Sequence, residues 1–350
     1  MKSNCLAKKR KKRLFLPFYA FCFIFFTKLF KGGRKMNKNE IINELQKHDS
    51  TLLSFKDRGP WGDNRYRGNC SGWIQAFLVW KYHVSKLAEL FSGSGTGYDV
   101  CKDMGIDYVG ADLNPNPVRP GILNVNAITD DVPEEFTNAD MLFMHPPYGA
   151  EIKIPYAGSM YADPTKELSK SDLGQMPWEK FMKELNAVIM KYYSAMAPGS
   201  RMAVLMGDVR RGGLHSMFTD IVKPGELEQV IIKAQHNCVS DGRTYQSRNF
   251  VPIVHEYIMV LKKYSPYFIS YQIPLKKEMD IRDCNCATWR DVVAATLKKL
   301  GGRASLAQIY SEIDGHKKCE SNANWQAKVR QVLQSFNIFT HVQNGVWAIA

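Results

Sequence analysis

Apolar runs of strand length alternate with helical stretches through the middle of the chain. Lys86–Phe91 (KLAELF) reads as a buried strand that ends in the glycine-rich SGSGTG, with a helix from near Gly97 to Met104. Asp107–Asp112 (DYVGAD) is a second strand with an acid at its end, and Ala139–Met144 (ADMLFM) a third, stopped by prolines. A long amphipathic helix over Trp178–Ala197 ends in APGS, and RMAVLMGD follows as a strand. Such alternation predicts an α/β domain, a mostly parallel sheet covered on both faces. Val230–Gln235 and Val254–Lys262 have no helical pattern between them, which predicts an antiparallel hairpin at the end of the sheet, joined by HNCVSDGRTYQSRNF.

The pattern changes after a segment containing Pro266 and Pro274. Three short helices are expected over Thr288–Leu300, Ser305–Asp314 and Trp325–Ser335, then two strands about the turn signal Asn344-Gly345. Three helices and a hairpin suggest a winged-helix domain at 288–350, a linker at 266–287 and a larger domain at 36–265.

Charge adds little to this. The formal net charge is +13, but Met1–Lys35 contains eleven Lys/Arg and no Asp or Glu, leaving 36 against 34 from Met36 onward. Only local clusters can therefore speak for a partner. Residues 1–35 resemble a signal peptide in form, with a basic start and an apolar stretch from Leu14 to Thr27. That stretch is short for a membrane span and no A-x-A-like cleavage site follows. KGGRKM can be encoded by a purine-only run like a ribosome-binding site, so we read Met36 as the start and 1–35 as a non-native leader. The eight cysteines are scattered, with only Cys284-Asn-Cys286 close together and no C-x-x-C pair. Reduced thiols in a cytoplasmic protein are expected, with no metal site.

The loop after the first strand lets backbone approach a ligand, and an acid closing the second strand can take ribose hydroxyls. Glu89, Gly93, Gly95 and Asp112 occupy those places. FSGSGTG differs from the G-x-G-x-x-G fingerprint, and Glu89 would repel a pyrophosphate. A cationic, phosphate-free ligand such as S-adenosylmethionine suits that carboxylate better.

His145-Pro146-Pro147-Tyr148 closes another strand, on the carboxyl edge where open α/β sheets bind ligands. The exocyclic amine of adenine or cytosine is a poor nucleophile because its lone pair is delocalised into the ring. A side-chain acceptor and the first proline's carbonyl can hold both amino hydrogens and draw the nitrogen toward tetrahedral geometry. Tandem prolines fix that carbonyl's direction. Tyr148 can stack on a flipped base, a contact worth roughly 1 to 3 kcal/mol.

From about Trp61 to Lys263 the chain resembles the amino-methylating DNA methyltransferases that carry an (Asp/Asn/Ser)-Pro-Pro-(Tyr/Phe/Trp) motif. RYRGNCSG (Arg65–Gly72) resembles the family's early cofactor segment, LAELFSGSGTG its cofactor loop, APGSRMAVLMGD the helix-turn-strand after the catalytic motif, and VPIVHEYIMVLKK its last strand. The order resembles the family's gamma arrangement. The resemblance implies a Rossmann-like, S-adenosylmethionine-dependent fold and an activity on double-stranded DNA, with adenine N6 favoured over cytosine N4. It places Glu89, Phe91, Ser92, Gly93, Ser94, Gly95 and Thr96 along the cofactor, with Asp112 at the ribose and Asn126 near its adenine. Arg67, Gly68, Asn69 and Ser71 would close the pocket, and His145, Pro146, Pro147 and Tyr148 would hold the target base. Ala150–Met176 reads either as a flap over DNA or as a surface excursion without function.

His145 departs from the family pattern. A neutral imidazole has one free lone pair and can accept an amino hydrogen, with Nδ1 lying roughly where an asparagine oxygen would. Protonated, it has no acceptor, which predicts an acid limb near an ordinary histidine pKa of roughly 6.5. A degenerate site is the alternative. His83, His236 and His255 read as structural.

Thr288–Ala350 has eight Lys/Arg against four Asp/Glu. Lys317, Lys318, Lys328 and Arg330 lie before and within the third helix, where a winged helix commonly meets DNA phosphates. Trp325, Val329, Val332 and Leu333 are expected in the core instead. A protein-docking winged helix is the competing reading. RNA methylation, glutamine methylation and a non-catalytic DNA-binding relative stay open beside the DNA reading.

Overall fold

The computed structural model describes residues 36–152, 154–161, 167–236, 250–265, 268–275, 278–284 and 287–350. The leader and most of the HNCVSDGRTYQSRNF loop lie outside the described residues, as does Cys286. Two compact units divide between Pro274 and Leu275.

An eight-stranded sheet organises the larger unit. In chain order its strands are β1 (Leu52–Leu53), β2 (Lys86–Leu90), β3 (Asp107–Asp112), β4 (Ile122–Asn124), β5 (Met141–Met144), β6 (Arg201–Met206), β7 (Glu226–Ala234) and β8 (His255–Lys262). They lie side by side as β1-β7-β8-β6-β5-β2-β3-β4. Strands β6, β5, β2, β3 and β4 run parallel, and β8 is antiparallel to both β6 and β7. The Rossmann-like sheet and its terminal antiparallel hairpin are thus as expected.

The central strands are apolar throughout because both faces are covered. Successive residues point to opposite sides of the sheet. Leu142, Met144, Met202 and Val204 pack in one layer with Phe181, Leu185, Val188 and Ile189 of the amphipathic helix Trp178–Ala195. Met141, Phe143, Ala203 and Leu205 face the other layer, which holds helices α1 (Lys38–Leu45), α2 (Gly72–Lys81) and α3 (Thr96–Met104). We label Trp178–Ala195 α4.

Several elements were not evident from the sequence pattern. Helix α2, GWIQAFLVWK, is buried around most of its circumference and so carries no amphipathic signal. Strands β1 and β4 have two and three residues, too few to show alternation. Asp208–Arg210 and Leu214–Ser216 form a separate two-stranded ribbon beyond β6. Part of the segment read as a linker is paired, since Tyr271–Gln272 is antiparallel to Lys223–Pro224. Within Ala150–Met176 the described residues include one helical turn, Tyr156–Ser159, and 3-10 turns at Leu168–Lys170 and Leu173–Gln175.

The smaller unit contains helices α5 (Trp289–Lys299), α6 (Leu306–Ile313) and α7 (Trp325–Ser335) and strands β9 (Arg303–Ser305), β10 (Phe339–Gln343) and β11 (Val346–Ile349), ordered β9-β11-β10. Capping boxes start α5 (Thr288 with Asp291) and α6 (Ser305 with Gln308). Val329, Val332 and Leu333 are buried, as their helical spacing predicts, and Trp325 packs against the same core. Strand β9 and the short helix Lys317–Glu320 are additions to the three helices and hairpin expected here. No helix among the described residues is long and apolar enough to cross a membrane.

Candidate active site

The carboxyl ends of β2, β3 and β5 meet at a partly open cavity. Its floor is set by the backbone after β2. Phe91 takes φ 67°, Gly93 φ 50° and Gly95 φ 75°, so the chain turns sharply before α3 begins at Thr96. Left-handed backbone is accessible to glycine but strained for phenylalanine. The turn aims the Gly93 N–H at Asp112 Oδ2, 2.8 Å away, while Asn114 N–H donates to Oδ1 at 2.9 Å. Tyr161 also donates its hydroxyl to Asp112. Burial is the largest influence on Asp112 and raises its pKa above the ordinary carboxylate value despite these donors.

Glu89 is 3% exposed and lines the same cavity. Tyr108 donates to its Oε2 at 2.5 Å, and Gln75 donates to Oε1. No cation is paired with it among the described residues. Burial therefore pushes its pKa up to about 8, against the two hydrogen bonds. A buried carboxylate without a counter-ion, in a cavity also walled by Tyr66, Tyr156 and Tyr161, is an environment that a cationic ligand would complete.

Most of the expected cofactor residues come together here. Gly68, Asn69, Glu89, Phe91, Ser92, Gly93, Ser94 and Thr96 line the cavity with Asp112 and Asn126. Asn69 joins the early segment to the loop, accepting from Thr96 Oγ1 at 2.7 Å and donating to the Asp63 carbonyl at 2.6 Å. Asn126 donates to Ser171 Oγ at 2.8 Å. Arg67, Ser71 and Gly95 do not line the cavity. Arg67 is exposed, Ser71 is the N-cap of α2 with its hydroxyl buried and unpartnered, and Gly95 caps α3.

His145 and Pro147 form the end of the cavity on β5, while Pro146 is buried and Tyr148 stands beside rather than in the lining. Tyr148 donates its hydroxyl proton to Glu256 Oε1 at 2.9 Å, and Glu256 is ion-paired with Lys233. The His145 ring lies edge-on to Tyr148, with Nε2 3.3 Å from the hydroxyl. A phenol has one proton, and it goes to Glu256. Nε2 must then carry the imidazole hydrogen and donate to the Tyr148 oxygen, which leaves Nδ1 as the free acceptor.

Electrostatics favour the same state. His145 keeps a partly exposed edge, yet burial brings its pKa down to about 4, with Glu256 opposing and Lys233 assisting. The acid limb expected near 6.5 is corrected accordingly, because that figure belongs to a solvated imidazole. Burial also opposes charge on Glu256, but Lys233 and the hydrogen bonds from Lys233 and Tyr148 work against it, and its pKa lies below the ordinary value.

No family model matches the chain, and no curated protein matches its sequence. Solved structures do align with it. A precorrin-6y C5,15-methyltransferase from Geobacter metallireducens is 11% identical over 58% of this chain and 96% of its own, with a TM-score of 0.31. A SAM-dependent methyltransferase from Archaeoglobus fulgidus is 12% identical over 57% of this chain and 96% of its own, at 0.29. A candidate DNA modification methylase from Thermus thermophilus is 18% identical over 41% of this chain and 51% of its own, at 0.21. Scores this low carry no functional weight, so the residues themselves must decide the chemistry.

Lys233 and Glu256 were not among the residues singled out from sequence. A charge within an otherwise apolar strand, as in VIIKA and HEYIMVL, was the available signal. Tyr66, Tyr156, Tyr161 and Asp172 were likewise missed, since a tyrosine in a loop carries no periodicity. In the smaller unit Lys318 sits over the Trp289 ring at 5.9 Å, Lys317 donates to the Asp283 carbonyl, Lys328 to Gln331 and Arg330 to Tyr310.

Proposed function

We propose that the chain is an S-adenosylmethionine-dependent methyltransferase that modifies the exocyclic amino group of a base flipped from DNA, with adenine N6 as the target. The observation that carries this reading is His145 at the end of a cavity that also holds Glu89 and Asp112, with its Nε2 3.3 Å from a Tyr148 hydroxyl that donates to Glu256. Glu89 and the tyrosine walls fit a sulfonium cation, and Asp112 fits ribose hydroxyls. When bound, S-adenosylmethionine supplies an electrophilic methyl group.

The chain's own residues do the positioning. His145 Nδ1 accepts one amino hydrogen of the base and the Pro146 carbonyl accepts the other, which turns the nitrogen lone pair out of the ring system. Holding two reactants in attack geometry supplies the rate, with no covalent enzyme intermediate. Glu256 and Lys233 keep Tyr148 and the imidazole tautomer fixed. Lys317, Lys318, Lys328 and Arg330 supply phosphate contacts from the smaller unit.

Long-read sequencing of DNA from cells expressing the chain, beside His145→Ala, tests this. Modified adenines at a defined motif are expected only with the unaltered chain. Identical DNA from both strains would defeat the reading.

A further inference from the structure

The ribbon Asp208–Arg210/Leu214–Ser216 takes no part in the cavity. It nonetheless starts beside the catalytic motif. Gly207, which joins it to β6, lies so near Tyr148 that a Cβ there would stand 3.1 Å from the ring. At its other end Arg211 Nε donates to the carbonyl of Glu151 at 2.8 Å, three residues past Tyr148.

Register sorts the ribbon's side chains. Val209 pairs with His215, and both turn inward: Val209 is buried, and His215 packs on Trp178 of α4 with ring centroids 4.9 Å apart. Arg210 pairs with Leu214 and so shares the opposite face with it. Arg210 and Arg211 are exposed, and Leu214 is 56% exposed. Neither arginine is ion-paired with a carboxylate among the described residues. Asp208, on the same face as Arg210, is engaged by the Tyr257 hydroxyl. Gly212, at φ 64°, and Gly213 make the tip narrow and leave open space around it.

Two exposed arginines, Arg210 across from Leu214 with its guanidinium over the Phe250 ring at 5.4 Å and Arg211 held at the Glu151 carbonyl, together with one projecting leucine suit a polyanion with an apolar interior. Duplex DNA has that chemistry, phosphates outside and stacked bases within. Apolar side chains are the wedges that proteins insert into base steps. A base drawn out of the stack leaves a gap that an apolar side chain can fill. Resting on the DNA reading above, we propose that this ribbon is a second DNA-contacting element, with Arg210 and Arg211 on phosphates and Leu214 occupying the space vacated by the flipped base.

The test uses the full chain and a duplex carrying the motif found by sequencing. For Arg210→Ala/Arg211→Ala, the slope of log affinity against log salt should fall by about 2, at roughly 0.9 per phosphate contact. Arg210→Lys/Arg211→Lys should keep the slope, which excludes misfolding as the cause. Leu214→Ser should keep both the slope and S-adenosylmethionine affinity, yet lose at least tenfold in methylation of a paired target. A mismatched target, already easier to extrude, should restore most of that loss. An unchanged slope in the alanine pair, or an equal Leu214→Ser loss on paired and mismatched targets, would overturn the proposal while leaving the DNA reading intact. Absence of duplex binding by the unaltered chain would overturn both.

Discussion

The Tyr148 hydroxyl donates to Glu256 Oε1 at 2.9 Å and thereby commits its only proton. That one bond links the hairpin at the end of the sheet to the loop after β5, 108 residues away in sequence. The state of His145 follows from it.

In the Lys233–Glu256 pair beneath this bond Glu256 is buried and Lys233 half-buried, with side chains 7% and 15% exposed. Replacing Lys233 by Met strands a carboxylate in the interior, which costs about 3 to 5 kcal/mol. The double variant Lys233→Met/Glu256→Leu should recover most of that stability, because neither charge is left alone. Its methyl transfer should stay low, since Tyr148 has lost its acceptor and the imidazole its fixed tautomer. Urea denaturation and turnover on the same preparations read both effects. Recovery of activity together with stability would show that the pair only supports the fold.

The pH dependence of His145 has a definite sign. An ordinary histidine in the unfolded chain protonates at roughly pH 6.5, whereas the folded one does so at about 4. Between these values the unfolded state binds more protons. The group's stabilising contribution is therefore full above pH 6.5 and is lost as pH falls toward 4. At saturating S-adenosylmethionine, single-turnover methylation should accordingly be level from pH 5 to 8 with a fall near 4. His145→Asn, which retains an acceptor, should keep substantial activity, while His145→Ala should lose about a hundredfold or more, as when one preorganised hydrogen-bonding group is removed. An acid limb at 6.5 would mean the imidazole is solvated in the working enzyme.

What the sequence disclosed follows from how far apart the relevant residues lie. DYVGAD and MLFM were legible as strands because buried parallel strands are continuous apolar runs, and the ends of those strands named Asp112 and His145 directly. The loop residues Gly93 and Thr96 were legible because chain adjacency to β2 places them. Glu256 and Lys233 were not, because their meeting with Tyr148 depends on strand order and register, which no local pattern encodes. The same holds for Tyr161, whose contact with Asp112 is made by a loop without periodic sequence. The tautomer of His145 was beyond reach for a related reason, since it depends on where a distant residue takes a proton.

Glu89 supplies a separate test of the cavity's ligand. Its pKa stands at about 8, above the ordinary glutamate value of about 4.3. Glu89 therefore holds its proton at neutral pH, and that contribution to stability is full below about pH 4.3 and lost as pH rises through 8. A cation seated beside it favours the ionised form, so binding must release a proton. S-adenosylmethionine affinity should rise with pH, by up to about tenfold per unit, and level off near 8. Calorimetry in buffers of differing ionisation enthalpy would count the proton directly. Glu89→Gln should abolish both the release and the pH dependence, and equal behaviour of the two proteins would remove Glu89 from the ligand's surroundings.

Asp112 raises a question of competition. Gly93 and Asn114 already donate to it from the backbone, and Tyr161 adds a phenolic proton. A ribose hydroxyl that reaches the same carboxylate must displace the donor that can move, and backbone amides at a turn cannot. Tyr161, whose hydroxyl also meets that of Tyr66 at 2.9 Å, has a second partner to fall back on. Removing the phenol should therefore spare the ligand that displacement. Tyr161→Phe should bind S-adenosylmethionine more tightly, by about fivefold for one hydrogen bond of net worth near 1 kcal/mol. Titration of both proteins at pH 7 decides the matter. Weaker binding by Tyr161→Phe would show instead that the phenol contacts the ligand in the loaded site, with Asp112 as its anchor rather than its competitor's target.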